Sequence, residues 1–379
     1  MYRYRLMAPG PTPVPENVLT QMALPILHHR TEAFEKVVAE VREGLKWLYQ
    51  TQNEVLIFAS SGTGAMEASV INLMSKGDTA LCIDGGKFGE RWWKICQAHG
   101  LQYDVIKVEW GKAVDPQLVA QKLKEKDYRV VLATASETST GVAHPIREIA
   151  ALTAALPNTA LVVDAITALG VTNIPTDEWK VDVLVTGSQK ALMLPPGLAF
   201  ASLSPKAIEL TKKSDLPKFY FDFKRELKSI QENTTAWTPA VSLIMGLQEV
   251  LKMMKKEGLE NLFKRHAQLA KATRAGLEAM CLKLYAPEAP STAVTAAYSP
   301  DGMDAGKIVK TLKNKFNMTI AGGQDQAKGK IFRIGHLGYY DPMDILNVLA
   351  AVETALIENG HKIEPGVGVG AALKVFMEK

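Results

Sequence analysis

Val55-Leu-Ile-Phe-Ala-Ser-Ser-Gly-Thr-Gly64 joins four consecutive apolar residues to a Ser/Gly turn, and the chain beyond it takes up a helical repeat. The apolar run shows no polar alternation, as expected of a strand buried on both faces. Downstream, Met66, Val70, Leu73 and Met74 stand at i, i+4, i+7 and i+8, which predicts a helix with one apolar face laid on that strand's sheet. A strand, a tight turn and a covering helix form the start of a crossover, and crossovers of this kind give mostly parallel sheets.

Working outward, the rhythm repeats in Ala80-Leu-Cys-Ile83, Val130-Val-Leu-Ala133, Leu161-Val-Val163, Val183-Leu-Val185 and Leu198-Ala-Phe-Ala201. The reading is an α/β fold. After Pro239 the pattern changes to long helical stretches, Val241 to Lys256 and Leu259 to Met280. Strands at Val294 to Tyr298 and Ile331 to Ile334 follow. Asp341-Pro342 then opens a helix carrying Ile345, Leu349, Val352 and Leu356, with Asp as cap and Pro in the first turn. The tail from Gly360 carries Gly366, Gly368 and Gly370 and reads equally as mobile or docked.

A chain of 379 residues exceeds one ordinary core. The expected division is an N-terminal arm (1–20), a large domain (21–260) and a smaller C-terminal α/β domain (261–379). Forty-four Lys and Arg against 40 Asp and Glu leave a net charge of +4, too weak and dispersed for a nucleic-acid surface and better suited to small anionic ligands. Three cysteines, Cys82, Cys96 and Cys281, make no C-x-x-C pair, so no disulfide framework, zinc site or iron–sulfur site is expected. Arg3, Arg5 and the prolines up to Pro15 do not read as a secretion signal. No stretch approaches the roughly 18 apolar residues of a membrane span. A cytoplasmic protein without membrane or nucleic-acid partners is expected.

Three motifs carry chemistry. Ser60-Ser-Gly-Thr-Gly64 lies between strand and helix, where free N–H groups and the helix dipole favour phosphate; alone, it is as readily an ordinary Gly-rich turn. Asp164 ends a buried strand, at the sheet edge where open α/β folds bind ligands; alone, it is more often a capping residue. Lys190, in Gly187-Ser-Gln-Lys190, follows another buried strand, where low polarity disfavours the ammonium form; alone, it reads as a snorkelling loop lysine. Their order changes the reading. A phosphate turn, a strand-end acid and, 26 residues after it, a lysine are the three things pyridoxal phosphate requires: a phosphate clamp, a partner for the ring nitrogen and an imine-forming amine.

The chain resembles the class V aminotransferases of fold type I, and within them the alanine–glyoxylate and serine–glyoxylate (serine–pyruvate) group. The resemblance rests on Pro9-Gly-Pro-Thr-Pro-Val-Pro15, Ser61-Gly-Thr-Gly64, Gly86-Lys-Phe-Gly-Glu-Arg91, Glu137-Thr-Ser-Thr-Gly141, Val163-Asp164, Gly187-Ser-Gln-Lys190 and Phe332-Arg-Ile-Gly-His-Leu-Gly338. It covers nearly the whole chain and is strongest to the cyanobacterial branch labelled a soluble hydrogenase 42 kDa subunit. The cysteines offer no pattern for nickel, iron or a cluster.

The resemblance implies a mostly parallel seven-stranded sheet, pyridoxal 5'-phosphate as cofactor, and transfer of an amino group from a small L-amino acid to a 2-oxo acid by a ping-pong route. Alanine or serine is the implied donor, and aspartate or an aminophosphonate would also suit the scaffold. Lys190 becomes the Schiff-base lysine and proton shuttle, and Asp164 the partner of the pyridine nitrogen. Phe88 becomes the ring-stacking aromatic or, read plainly, a core residue. Ser61, Gly62, Thr63 and Gln189 become phosphate contacts, Thr138 a donor to the ring oxygen, and Arg333 the grip on the substrate carboxylate, with Gly10 beside it. Thr235 and Thr238, in Asn233-Thr-Thr-Ala-Trp-Thr-Pro239, match a loop reaching the phosphate from a second subunit, so a homodimer with shared sites is implied. His29-Arg30 is similar to a pair used against substrate phosphate in phosphoserine aminotransferases; a selectivity element and an interface contact are equal readings. His336 is expected to be structural. A lyase on the same fold would need a reactive loop cysteine, and Cys281, after a long helix, is expected to be buried. A non-catalytic subunit would be favoured by loss of the lysine, the aspartate or the carboxylate-binding arginine, and all three are present.

Overall fold

The computed structural model describes residues 3–378; Met1, Tyr2 and Lys379 lie outside the described residues. Seven strands build the central sheet: β1 (Val55–Phe58), β2 (Thr79–Asp84), β3 (Gln102–Lys107), β4 (Val130–Thr134), β5 (Ala160–Asp164), β6 (Val183–Gly187) and β7 (Ala199–Ser202). Their order is β1-β7-β6-β5-β4-β2-β3. Only β7 runs against its neighbours in this sheet. Six of these strands coincide with the apolar runs, because both of their faces are covered. β3 was not legible: at the sheet edge, with one neighbour, it carries Gln102, Asp104 and Lys107 and never becomes an apolar run.

Helix α1 (Gly62–Leu73) covers the sheet beyond β1, but it is buried on nearly every side rather than along one stripe. The segment after β7 closes its outer side: Asn72 Nδ2 donates to Phe221 O at 2.6 Å, Phe223 N donates to Asn72 Oδ1 at 3.0 Å, and Ser214 Oγ donates to Ile71 O at 2.8 Å. Helix α2 (Gly89–Ala98) follows β2 and buries Trp92 completely, its indole N–H reaching Ala133 O at 3.2 Å.

Two apolar cores follow in sequence. One surrounds the sheet and runs from Val18 to Leu262; the other joins Met7 to residues from Leu269 to Val375. They meet along helix α3 (Leu259–Ala279), and the division expected at residues 260–261 falls in its first turn. The arm is tied down by Arg5–Leu6, which pairs with Met318–Thr319, and the helix Glu16–Met22 crosses its expected end at residue 20. In the second core, Ile331–Gly335 is flanked antiparallel by Val294–Tyr298 and Ala321–Gly322. Helix α4 (Pro342–Glu358) starts on the expected cap, Asp341 accepting from Met343 N at 2.7 Å and from Asp344 N at 3.1 Å. The tail is docked: its glycines open helix α5 (Val367–Met377), which packs on α3 and α4 and buries Ala372 and Val375. Among the described residues no helix is long and apolar enough to cross a membrane.

Cys281 corrects one expectation. It is exposed, not buried, because it sits past the end of α3 at φ 60°, turning its thiol outward while Met280 and Leu282 point into the core.

The buried imidazole of His266 carries a testable pH dependence. Its Nδ1 donates to Leu262 O at 2.7 Å and its Nε2 accepts from Gly338 N at 3.0 Å, an arrangement only the neutral ring satisfies. Burial, reinforced by Arg265, pushes its pKa from 6.5 to about 3. With the folded value depressed, the unfolded chain takes up the proton first, so this contribution is complete above pH 6.5 and declines as pH falls toward 3. His266→Gln should destabilise the protein at about pH 8, and the gap from wild type should narrow by about 2 kcal/mol at about pH 5. Denaturant unfolding at both pH values checks this, and an unchanged gap refutes it.

Candidate active site

Five strands deliver side chains to one place, because their carboxyl ends all open on the same edge of the sheet. From the end of β1 come Ser61, Gly62 and Thr63; from β2, Phe88 and Arg91; from β4, Ser136 and Thr138; from β5, Asp164; from β6, Gln189 and Lys190. All line one cavity of about 320 Å³, with Gly10 from the arm across its mouth. The backbone requires glycine at position 10, with φ at +143°, and a Cβ there would also crowd the Lys190 side chain.

Lys190 is held by its own backbone and by the arm. Its carbonyl accepts from Thr12 Oγ1 at 2.8 Å, and its Nζ donates to Pro9 O at 2.7 Å. Burial lowers its pKa to about 8, with Asp164 opposing and Arg333 and Arg91 reinforcing, so an appreciable neutral fraction exists near neutrality. Asp164 is 3% exposed; Oδ1 accepts from Ile166 N at 2.9 Å, and burial raises the carboxyl to about 6 against the pull of Arg91 and Lys190. One amine and one carboxylic acid, each moved toward neutrality, thus share one cavity.

Ser61 caps α1 with its backbone alone: no side chain binds the first-turn N–H groups, which leaves them for an anion. Gln189 Oε1 is buried in the same cavity without a hydrogen-bond partner. Thr138 Oγ1 pairs with Thr167 Oγ1 at 2.8 Å. A first-turn anion site, a carboxyl group and an amine in one cavity are the three kinds of group that pyridoxal phosphate requires, so the residues present fit it.

Arg333 stands behind this wall rather than in it. It is 6% exposed, and all its partners are carbonyls: Nε and Nη2 donate to Gly322 O at 3.0 and 2.7 Å, and Nη1 donates to Thr138 O at 2.8 Å. Burial lowers its pKa to about 10, with the nearby Glu137 carboxylate opposing; among the described residues it forms no ion pair. His336 bonds Thr292 O at 2.9 Å and Thr295 Oγ1 at 2.9 Å and is wholly buried, as a structural residue is.

Besides Arg333, four expected residues are not brought to this cavity within one chain. Arg30 donates to Thr234 Oγ1 at 2.7 Å and to Thr235 O at 3.1 Å; Thr235 and Thr238 line a separate cleft, and His29 stacks on His28. Cys281 does not line the cavity either. Arg91 is the residue to which the sequence alone assigns no role. It lies three residues after Phe88, one helical turn on, which was the available signal; its guanidinium sits 5.0 Å above the Phe88 ring, and Nη1 donates to Thr63 Oγ1 at 2.9 Å.

Known proteins share this pattern. The family Aminotransferase class-V matches residues 6–342. A soluble hydrogenase small subunit from Synechococcus sp. (strain PCC 6716) is 46% identical, with 98% of each chain covered. The L-aspartate–glyoxylate aminotransferase of Paracoccus denitrificans is 39% identical over 98% of this chain and 96% of its own, and the serine–glyoxylate aminotransferase of Methylorubrum extorquens is 36% identical over 99% and 96%. Among solved structures, ureidoglycine–glyoxylate aminotransferase from Bacillus subtilis superposes with a TM-score of 0.95 at 28% identity, covering 100% of this chain and 99% of its own. With the lysine, the acid and the anion site on one sheet edge, the chain belongs to the class V aminotransferases, pyridoxal-phosphate enzymes of fold type I.

Proposed function

We propose that this enzyme takes the amino group of a small L-amino acid, alanine or serine, and passes it by a ping-pong route to glyoxylate or pyruvate. The observation that carries this reading is the cavity itself. At about 320 Å³ it lies at the small end of ligand sites, so the cofactor leaves room for a short side chain only. The relatives named as glyoxylate aminotransferases support the acceptor.

Pyridoxal phosphate, when bound, supplies the electron-withdrawing ring. Lys190 moves the proton at the substrate Cα, and its depressed pKa suits it to act as a base near neutrality. Asp164 keeps a proton on the ring nitrogen, and Phe88 stacks on the ring. The α1 turn at Ser61, Gly62 and Thr63, with Gln189, binds the phosphate, and Thr138 donates to the ring oxygen. Arg333 exchanges a carbonyl partner for the substrate carboxylate, to which its planar fork is matched, and Gly10 closes the mouth. The working form is a cytoplasmic homodimer with the chain divided near residue 260. Exposed Phe219 packs on Trp237 beside the surface where Arg30 meets Thr235 and Trp237 packs on Tyr220, and a second copy seated there brings Thr235 and Thr238 to its partner's phosphate.

An aspartate donor is the second reading, favoured by one observation: Arg91 lines the cavity and pairs with no carboxylate among the described residues. Amino transfer to glyoxylate should be measured with L-alanine, L-serine and L-aspartate in parallel. Alanine or serine should exceed aspartate in kcat/KM by about tenfold or more, since a buried side-chain carboxylate without its own cation costs at least that much. An aspartate preference would sink the first reading and install Arg91 as the second carboxylate's partner.

A further inference from the structure

Glu137 is a wholly buried carboxylate pressed against this site, and the proposed reaction gives it no part. No lysine or arginine pairs with it among the described residues. Its carboxylate is instead met by donors from one other segment of chain, Phe88–Gly89, and from Ser139 in its own turn. Oε2 accepts from Phe88 N at 3.1 Å and Gly89 N at 2.9 Å; Oε1 accepts from Ser139 N at 3.1 Å and Ser139 Oγ at 2.5 Å. The Ser139 hydroxyl in turn accepts from Lys87 N at 3.0 Å. Lys87, Phe88 and Gly89 are the entry to α2, whose own N-cap residue, Phe88, supplies no side-chain cap. An anion at a helix N-terminus is favoured by the dipole, and a buried one persists only where N–H groups surround it.

The carboxylate cannot drift, because its backbone is locked as well. Ser136–Glu137 pairs with Val142–Ala143, and Gly141 N donates to Glu137 O at 2.8 Å. The loop it holds is equally tight: a Cβ on Gly86 would lie 2.5 Å from Glu137 Cδ.

We propose that Glu137 is a positioning residue that sets three groups at once: Phe88 through its N–H, Thr138 as its chain neighbour, and Arg333 through the bond from Nη1 to Thr138 O. This rests on the proposed function, in which those residues meet the cofactor ring, the ring oxygen and the substrate carboxylate. Its consequence is coupling. Loosening one carboxylate weakens the hold on cofactor and on carboxylate substrates together, although Glu137 touches neither. Glutamine cannot substitute, since its NH₂ would face N–H donors that now find an acceptor.

The test compares wild type, Glu137→Gln and Ser139→Ala in melting temperature, dissociation constant for pyridoxal phosphate, and KM and kcat for an amino donor and for glyoxylate. In Glu137→Gln the cofactor constant and both KM values should rise about tenfold or more, the loss expected for charge-assisted hydrogen bonds. Ser139→Ala, which keeps the carboxylate and removes one bridge, should move the same three constants in the same direction by about threefold. A lowered melting temperature with unchanged constants makes Glu137 a structural cap and overturns the proposal. So does a cofactor effect without a KM effect in either variant. Should Glu137→Gln fail to fold, Ser139→Ala decides alone. Failure of the proposed function looks different: wild type itself would then prefer L-aspartate as donor, and the same three constants, measured with that donor, decide about Glu137 as before.

Discussion

Lys190→Ala should lower turnover by about 10³-fold or more while leaving the protein folded. General base catalysis by a placed side chain contributes about 10² to 10⁴, and in the proposed function this residue also anchors the cofactor aldehyde, so two contributions vanish together. Folding should survive because the amine makes a single hydrogen bond, to Pro9 O, and its removal also relieves a buried, partly charged group. The neighbouring phosphate turn is untouched, so cofactor still binds, now without covalent capture and releasable by dialysis. Product formation over many turnovers and the melting temperature together check the expectation. Turnover within about tenfold of wild type, in a folded variant, would remove Lys190 from its assigned role.

The parts of this site that the sequence made legible share a physical cause. Asp164, Lys190 and the Ser61–Gly64 turn each follow an apolar run, and buried parallel strands are the most readable elements a chain contains. Once those strands are placed, their carboxyl ends must lie on one edge, and residues far apart in sequence fall together without any long-range inference. β3 escaped for the converse reason: an edge strand has no apolar signature to read. The small-domain boundary blurred because α3 is continuous and passes from one core to the other without a break. Cys281 misled because burial of its neighbours says nothing about a residue at positive φ.

Arg91 and Glu137 were hidden differently. Both stand inside family motifs, Gly86 to Arg91 and Glu137 to Gly141, but their work is indirect: Arg91 donates to Thr63 Oγ1, and Glu137 only accepts. Such a role depends on which backbone N–H groups are left over when helix α2 begins, a quantity fixed by tertiary structure. Arg333 lies between these cases. Its strand was legible, yet its guanidinium is parked on the carbonyls of Gly322 and Thr138, a placement no local pattern encodes.

Asp164→Asn should lower kcat by about 10³-fold, with a smaller loss of cofactor affinity. The exchange keeps the shape of the side chain and its bond from Ile166 N, so the loop after β5 stays in place and the fold should be unaffected. What is lost is the negative charge beside the ring nitrogen. Two unit charges about 3 Å apart at an effective dielectric near 20 attract by about 5 kcal/mol, and each ~1.4 kcal/mol withheld from the transition state is tenfold in rate. Part of that attraction is already spent in the ground state, which is why about 10³ rather than the full value is expected. The raised carboxyl value in the free protein, about 6 and caused by burial, supports this division: Asp164 is poorly solvated and gains most when a cation arrives. Steady-state kinetics and cofactor titration of Asp164→Asn, run beside Lys190→Ala, separate the two roles. A variant that binds cofactor normally and turns over at the wild-type rate would show that the ring nitrogen needs no acid partner here, and Asp164 would become the tether of Ile166 and nothing more.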